Sequence, residues 1–169
     1  MKDTLISRRE FLKDIGMIGA GVLLSASPWL SAFSEVVETS GEKCRLAIIG
    51  PGSRGRFLMS FLVQNPKVEI AALCDIYQPS IEKALELAPK AKVYDDYRKI
   101  LEDKTVDAVL VATPLNSHCQ IVLDAFDAGK HVFCEKSIGF TMEECFRIYS
   151  KHISTGKIFS VSYTHLTLP

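Results

Sequence analysis

A glycine-rich segment early in the chain has the spacing of a phosphate-binding turn. Gly50, Gly52 and Gly55 form a G-x-G-x-x-G pattern, with Ser53 and Arg54 between the last two glycines. The first glycine permits a tight bend, the second lets backbone approach a pyrophosphate, and the third lets a helix pack on a strand. The start of that helix then presents N–H groups and the positive end of its dipole to the phosphates. Taken alone the pattern is weak, because a simple tight turn can carry the same glycines.

An aspartate stands twenty residues beyond the last of these glycines. Asp75 follows the apolar segment 68–74, which is typical of a buried strand. A carboxylate at the end of a second strand accepts hydrogen bonds from adenosine ribose hydroxyls and repels a 2′-phosphate. The spacing therefore predicts a dinucleotide site that prefers NAD to NADP. Two alternatives stay open: Asp75 is only a turn or cap residue, or Arg54 and Tyr77 help to bind a phosphate.

Further candidate side chains follow two apolar segments in the second half of the chain. They are Thr113, Pro114, Asn116, His118, Glu135 and Lys136. Seen without context, a histidine in a first helical turn and a Glu-Lys pair after a strand are typical of solvated surface groups. A lysine ammonium also hydrogen-bonds a secondary alcohol and takes part in proton transfer, which makes Lys136 the candidate catalytic residue.

The elements that must position these residues alternate between strands and helices. Strands are predicted for residues 44–49, 68–74, 92–94, 106–112, 131–134 and 158–161. The segments between them have helical spacing, and two capping boxes are predicted, Ser117 with Gln120 and Thr141 with Glu144. This order predicts an α/β fold of the Rossmann type, a doubly wound and mostly parallel sheet. In such a sheet ligands bind beyond the carboxyl ends of the strands, so all the candidate residues belong to one edge.

Composition bounds the kind of partner. The chain has 169 residues, which is room for about one domain. Twenty Lys and Arg balance twenty Asp and Glu, so neither nucleic acid nor an anionic bilayer is an expected partner, and a small molecule is. The five cysteines are an odd number without a C-x-x-C pair, which argues against a disulfide framework and against a structural metal site. Most of them are expected to be small buried hydrophobes.

The first 36 residues have the features of an export signal. Arg8-Arg9, followed by Phe11-Leu12-Lys13 and an apolar segment at 15–30, resembles a twin-arginine signal peptide. That segment is shorter than the roughly 20 residues that span a bilayer as a helix, so no stable membrane span is expected. The resemblance implies export to the periplasm, or a membrane tether if the signal is retained. Residues 37–43 are a predicted linker to a domain at 44–161, and a buried first helix is the alternative for the apolar segment.

Two longer motifs carry a resemblance to a known family. The segments A-T-P-x-x-x-H, ending at His118, and A-G-K-H-V-x-C-E-K, ending at Lys136, are similar to the amino-terminal half of the Gfo/Idh/MocA nicotinamide-dependent sugar oxidoreductases. The resemblance covers about residues 44–161. It implies that Lys136 contacts the reacting substrate hydroxyl, whereas Ser137 stands where the family usually has proline. The implied cofactor-binding residues are Gly50, Gly52, Ser53, Arg54, Gly55, Asp75, Thr113, Pro114, Asn116, His118 and Glu135.

Three functions follow from this resemblance. The first is the NAD-binding domain of an exported oxidoreductase that acts on a CH–OH group of a sugar, inactive as a fragment and homo-oligomeric when full length. The second is an NAD-dependent glycoside hydrolase of the same family, which oxidises C3 so that the C2 proton and the leaving group are eliminated. The third is a non-catalytic dinucleotide-binding module. Residues 162–169 do not continue the family pattern, so we expect a truncation and a missing substrate domain, and we assign no role to His165.

Overall fold

The computed structural model of the protein describes residues 43–162. They form a six-stranded sheet in the order β3-β2-β1-β4-β5-β6, and every strand pair is parallel. The strands are β1 (Cys44–Ile49), β2 (Val68–Cys74), β3 (Lys92–Tyr94), β4 (Ala108–Val111), β5 (His131–Cys134) and β6 (Phe159–Val161). The helices are α1 (Ser53–Leu62), α2 (Gln78–Leu85), α3 (Tyr97–Glu102), α4 (Leu115–Asp127) and α5 (Met142–Thr155). The predicted Rossmann-type fold is confirmed.

The central strands are mostly apolar because helices cover both faces of the sheet. Successive residues of β1 point into different cores: Leu46 and Ile48 lie in one, whereas Ala47 and Ile49 lie in the other. Strand β4 divides in the same way, and all four of its residues are buried. A parallel strand that is buried on both faces requires apolar residues at successive positions, and this is why its sequence is a continuous apolar segment.

The loops that carry the candidate residues all begin where a strand ends, on the side of the sheet that is here called the carboxyl edge. The residue after each of four strands donates its backbone N–H to the adjacent strand. The hydrogen-bond ladder of the sheet therefore fixes the position of that residue. These backbone hydrogen bonds run from Gly50 to Cys74, Ala112 to Ile49, Glu135 to Val111 and Ser162 to Cys134, with N···O distances of 2.8 to 3.0 Å.

Lys130 and His131, the polar residues of the A-G-K-H segment, lie at the opposite edge of the sheet. The buried Lys130 ammonium donates to the carbonyl oxygens of Asp103 and Val106, at 2.7 and 2.8 Å. The next residue, His131, accepts the N–H of Ile158 at its Nδ1 atom, at 3.0 Å. Burial is the main cause that lowers the pKa of both Lys130 and His131. These two side chains therefore stabilise loops away from the carboxyl edge.

The two predicted capping boxes have different outcomes. The box at α5 is confirmed, because Thr141 accepts the Glu144 N–H and the Glu144 carboxylate accepts the Thr141 N–H. The box at Ser117 is wrong, because α4 begins at Leu115 and its N-cap residue is Pro114, three residues before Ser117. Proline has a fixed φ suited to a helix start and needs no N–H partner there. The Ser117 hydroxyl instead donates to the Pro114 carbonyl oxygen at 2.7 Å.

The predicted export signal, the linker up to residue 42 and the tail beyond Ser162 lie outside the described residues. Within residues 43–162 no helix is long and apolar enough to cross a membrane.

The α5 capping box generates a stability prediction. Thr141→Ala removes the side-chain acceptor for the Glu144 N–H and is expected to lower the free energy of unfolding by about 1 kcal/mol. Urea denaturation followed by circular dichroism measures the change. Thr141→Ser keeps the hydroxyl and should retain the parent stability. Equal losses in both variants would contradict the assigned hydrogen bond.

Candidate functional site

The turn after β1 has no room for side chains at two of its glycines. Gly50 has φ +84°, and a Cβ on it would lie 2.8 Å from the backbone carbon of Ala112. A Cβ on Gly55 would lie 2.5 Å from the carbonyl oxygen of Gly50. Backbone strain and packing within the protein therefore require glycine at both positions.

Gly52 differs from its two neighbours in the motif. Its φ of −64° and ψ of −163° suit any residue, and a Cβ placed there would meet nothing within 4 Å. It is the N-cap residue of α1, the helix has no side-chain cap, and its first turn, which begins with the exposed Ser53, contains no acidic residue. The open space lies at the start of α1, where the first backbone N–H groups have no side-chain acceptor among residues 43–162 and are available to a diphosphate. A side chain at Gly52 would fill this space, so the turn fits a dinucleotide.

Asp75 follows β2 at the same edge and forms a local turn. One carboxylate oxygen accepts the Tyr77 N–H at 2.9 Å, and among residues 43–162 the other oxygen has no partner. The turn alternative is therefore observed, and it leaves one oxygen for a ribose hydroxyl. Asp75 also lines an open cleft of about 650 Å³. The other residues lining the cleft are Ile76, Gln78, Val93, Tyr94, Asp95 and Lys99.

The cleft residues beyond β2 are ones that sequence reasoning missed. Strand β3 lies at the predicted residues 92–94, but its pairing with β2, which brings Val93 and Tyr94 beside Asp75, is a long-range contact. Lys99 in α3 donates to Asp95, which precedes the helix, at 2.7 Å. The exposed Ile76 adds apolar surface suited to an adenine ring.

His118 lies in the interior of the protein. Only 1% of its surface is exposed, and its Nδ1 and Nε2 atoms lie 2.7 Å and 2.8 Å from the carbonyl oxygens of Ser137 and Thr113. The solvated position typical of such a histidine is not observed. The ring joins the loop after β4 to the loop after β5, so a direct hydrogen bond from His118 to a cofactor would have to replace one of these contacts.

Glu135 and Lys136 are adjacent in sequence and differ in burial. The Glu135 carboxylate is buried and accepts from Arg54 Nε at 2.6 Å, a contact between residues 81 positions apart. A buried carboxylate needs such a partner, and the Gly-rich turn supplies it. Arg54 also donates to the Ser162 hydroxyl at 3.3 Å. Lys136 is exposed, and within the described part of the chain its ammonium has no hydrogen-bond or ion-pair partner. Its peptide bond to Ser137 is cis.

The candidate residues are brought together to different degrees. Gly50 packs against Thr113, whose hydroxyl oxygen lies 2.8 Å from that of Ser117, so the Gly-rich turn adjoins the loop after β4. Pro114 and Asn116 are exposed at the start of α4, and neither side chain contacts another candidate side chain among residues 43–162.

Two cysteines end strands directly before candidate residues, and neither is available as a nucleophile. Burial, with the nearby carboxylates Asp96, Asp75 and Asp95, raises the pKa of Cys74 to about 11. Burial, and then the Glu135 carboxylate, raises the pKa of Cys134 to about 12. Both are thiols at neutral pH, whereas the thiolate is the reactive form. Four of the five cysteines are buried, as predicted. Between residues 43 and 162 no group of three His, Cys, Asp or Glu residues could hold a metal ion.

A family model decides the identity of this fold and site. The model described as "Oxidoreductase family, NAD-binding Rossmann fold" (GFO_IDH_MocA) matches residues 44–163. The chain belongs to this family. The Gfo/Idh/MocA resemblance of the sequence motifs is thereby confirmed, and the Rossmann domain is an NAD-binding one.

Two curated relatives are similar to most of this chain. A glycosyl hydrolase family 109 protein of Stenotrophomonas maltophilia is 33% identical over 163 residues, covering 89% of this chain and 34% of that protein. An α-N-acetylgalactosaminidase of Shewanella oneidensis is 31% identical over 174 residues, covering 90% of this chain and 38% of that protein. The chain thus spans about a third of the length of these relatives.

A solved structure with the same fold is also similar in sequence. It is the myo-inositol dehydrogenase of Lactobacillus casei in complex with NAD(H) and myo-inositol, with 32% identity and a TM-score of 0.68. The match covers 71% of this chain and 36% of the dehydrogenase. An NAD-binding protein of Listeria innocua, at 34% identity and a TM-score of 0.65, covers the same share of this chain.

The contrast between Gly52 and Gly55 generates a prediction about NAD binding. Gly52→Ala should fold with a stability within about 1 kcal/mol of the parent, because its Cβ meets no protein atom. The same Cβ occupies the space in front of the α1 N–H groups, so NADH affinity should fall by at least about tenfold. Fluorescence titration with NADH measures the affinity.

Gly55→Ala is the matched comparison in the same turn. Its Cβ clashes with the Gly50 carbonyl, so it should lower stability by about 1–3 kcal/mol. If Gly52→Ala bound NADH as tightly as the parent chain, the diphosphate would not lie over the start of α1.

Proposed function

We propose that this chain binds NAD for an enzyme that oxidises a CH–OH group of a sugar or sugar derivative. The observation that carries the proposal is the empty space at Gly52, which the protein's own packing does not explain, over the uncapped start of α1. Asp75 and the exposed Lys136 lie at the same edge of the sheet. The family membership and the inositol dehydrogenase fold support the proposal.

Each part of the carboxyl edge has a role in this proposal. The α1 N–H groups hold the diphosphate, and Asp75 accepts from the ribose hydroxyls with its second carboxylate oxygen. The loops after β4 and β5 border the nicotinamide end. The residues assigned to the cofactor region are Gly50, Gly52, Ser53, Arg54, Gly55, Asp75, Thr113, Pro114, Asn116 and Glu135. His118, expected there from the sequence, is not assigned to the cofactor, because both its ring nitrogens face carbonyl oxygens of the protein.

Lys136 is the proposed catalytic residue. Its exposed ammonium, without a partner within residues 43–162, is available to a substrate hydroxyl. It hydrogen-bonds that oxygen and takes part in moving its proton as the C–H bond breaks. Bound NAD supplies the hydride acceptor, and the protein supplies position and polarity.

A glycoside hydrolase that uses NAD internally is the second candidate. The specific observation in its favour is the similarity to a glycosyl hydrolase family 109 protein and to an α-N-acetylgalactosaminidase over about 90% of this chain. Both candidates require oxidation of a sugar hydroxyl, so the same carboxyl edge serves either. They differ in whether the hydride leaves as NADH or returns to the sugar.

Two further proposals rest on the sequence. The Arg8-Arg9 motif supports export by the twin-arginine route, to the periplasm or to a membrane tether if the signal is kept. A homo-oligomeric full-length enzyme is the proposed assembly.

Asp75 gives the test of the cofactor assignment. Asp75→Asn keeps an oxygen for the Tyr77 N–H and removes the charge, so the domain should stay folded. Hydrogen bonds to a carboxylate are worth about 1.5–3 kcal/mol, so NAD affinity should fall about 10- to 100-fold. Affinity for NADP should fall less, because the repulsion of its 2′-phosphate is lost together with the hydrogen bonds. Fluorescence titrations with NADH and NADPH measure both.

Equal losses for the two dinucleotides would place Asp75 away from the ribose. Absence of NADH binding by the parent chain would remove the proposed function itself. Binding by the domain, combined with no activity of a full-length protein on any sugar, would favour the non-catalytic module.

The two enzymatic candidates separate in a full-length protein that carries this domain. Given nitrophenyl N-acetylgalactosaminide without added NAD, a hydrolase releases nitrophenol. Given a free sugar and NAD, a dehydrogenase accumulates NADH. In either case Lys136→Met should lower turnover by about 10²- to 10⁴-fold, the range for losing a group that transfers a proton. NADH affinity should remain at the parent value, and a large loss of affinity would move Lys136 out of the catalytic role.

A further inference from the structure

Lys136 is held in place only through its backbone. Among residues 43–162 its ammonium has no partner, so no contact of its own side chain fixes it. On one side its N–H donates to the Glu135 carboxylate at 3.3 Å, and Arg54 holds that carboxylate at 2.6 Å. On the other side the next residue, Ser137, presents its carbonyl oxygen to His118 at 2.7 Å.

The His118 contact is the more enclosed of the two. The ring is 1% exposed, whereas the Arg54 side chain is 49% exposed. A carbonyl oxygen only accepts, so each ring nitrogen bonds to it only when that nitrogen carries hydrogen. Ser137 itself is exposed, so its carbonyl oxygen would turn to water or to another donor once the His118 contact is lost.

The position of His118 in the fold connects this contact to two loops of the site. The ring is part of α4, which packs against β4 and β5, and Ile121 and Val122 beside it are buried. Its Nε2 atom lies 2.8 Å from the Thr113 carbonyl oxygen, next to Gly50 and the dinucleotide turn. The ring thus lies between the loop that borders the cofactor and the loop that carries Lys136.

We propose that His118 is a positioning residue that fixes Lys136 through the Nδ1 contact with the Ser137 carbonyl. This inference rests on the proposed catalytic role of Lys136. A mispositioned acid–base group loses rate although every reacting group is present. His118 acts on the lysine and not on the dinucleotide, which distinguishes this role from a cofactor-binding one.

Two conservative substitutions separate positioning from packing. In His118→Asn the side-chain NH₂ lies near the original Nδ1 position and can still reach the Ser137 carbonyl. In His118→Gln the NH₂ lies near the original Nε2 position and can reach only the Thr113 carbonyl. Each variant keeps an N–H donor at one of the two ring-nitrogen positions and removes the other contact, so a purely structural role predicts equal effects.

The first readout is the order of the Lys136 and Ser137 amides, from ¹⁵N relaxation of the 169-residue chain. His118→Asn should keep the parent order at both amides, and His118→Gln should lose it. The second readout is the NMR signal of ¹³C-methylated Lys136, assigned with Lys136→Arg. Its shift on addition of NAD⁺ should persist in His118→Asn and be mostly lost in His118→Gln, while NADH affinity is the same in both.

His131→Ala is the control for general destabilisation. It removes a half-buried ring that bonds to the Ile158 N–H at the opposite edge of the sheet, so it should lower stability without changing either Lys136 readout. Equal behaviour of the Asn and Gln variants, or loss of Lys136 order in His131→Ala, would overturn the proposal.

A measurement on the unsubstituted chain keeps the test independent of variant folding. The Nδ1–H of His118 should be protected from exchange and show a coupling across the hydrogen bond to the Ser137 carbonyl carbon. Absence of this proton would overturn the proposal by itself. A parent chain with ordered Lys136 and no NADH binding would remove the proposed function and leave the positioning role intact, so the two failures are distinguishable.

Discussion

The contact between the Gly50 carbonyl and the Cα of Gly55 is the constraint on which the site depends. A Cβ on Gly55 would lie 2.5 Å from that oxygen, so α1 can begin this close to the end of β1 only with hydrogen at this position. The close approach directs the start of α1 to the carboxyl edge, where the loop after β4 meets Gly50 from the other side. It thereby sets the distance between the α1 N–H groups and the Thr113 loop. The remaining cofactor and substrate groups are arranged around this fixed corner.

The polar residues at the two edges of the sheet have different roles. At the edge where the strands begin, the Lys130 ammonium binds backbone carbonyl oxygens and His131 accepts a backbone N–H, so both groups are satisfied within the protein. At the carboxyl edge, Lys136 and one oxygen of Asp75 have no partner within residues 43–162. Polar groups that have no partner within the protein are available to a ligand. The motif A-G-K-H-V-x-C-E-K therefore combines structural residues at its start with functional ones at its end.

Local chemistry made most of the fold predictable, and long-range contacts made part of the site unpredictable. Apolar strands, the Gly-rich turn and the Thr141 capping box depend on near neighbours in sequence, and all three are observed. The start of α4 was misplaced because Ser117 is a good cap residue, whereas Pro114 defines the helix start through its fixed φ. The Arg54–Glu135 ion pair joins residues 81 positions apart, and the burial of His118 depends on where the loop after β5 lies. No periodicity or spacing contains that information.

The burial of the cysteines has a consequence for the environments that this domain can tolerate. Disulfide exchange and oxidation to sulfenic acid both start from a thiolate, which is scarce when burial raises the pKa of Cys44 and Cys74 to about 11 and that of Cys134 to about 12. The folded domain thus needs no reducing surroundings to keep these sulfurs unmodified. The risk of oxidation of these three cysteines is confined to the unfolded chain, in which the same side chains become accessible, whereas Cys145 is only half-buried in the folded domain. The sulfurs stay reduced if the chain folds before it meets an oxidant.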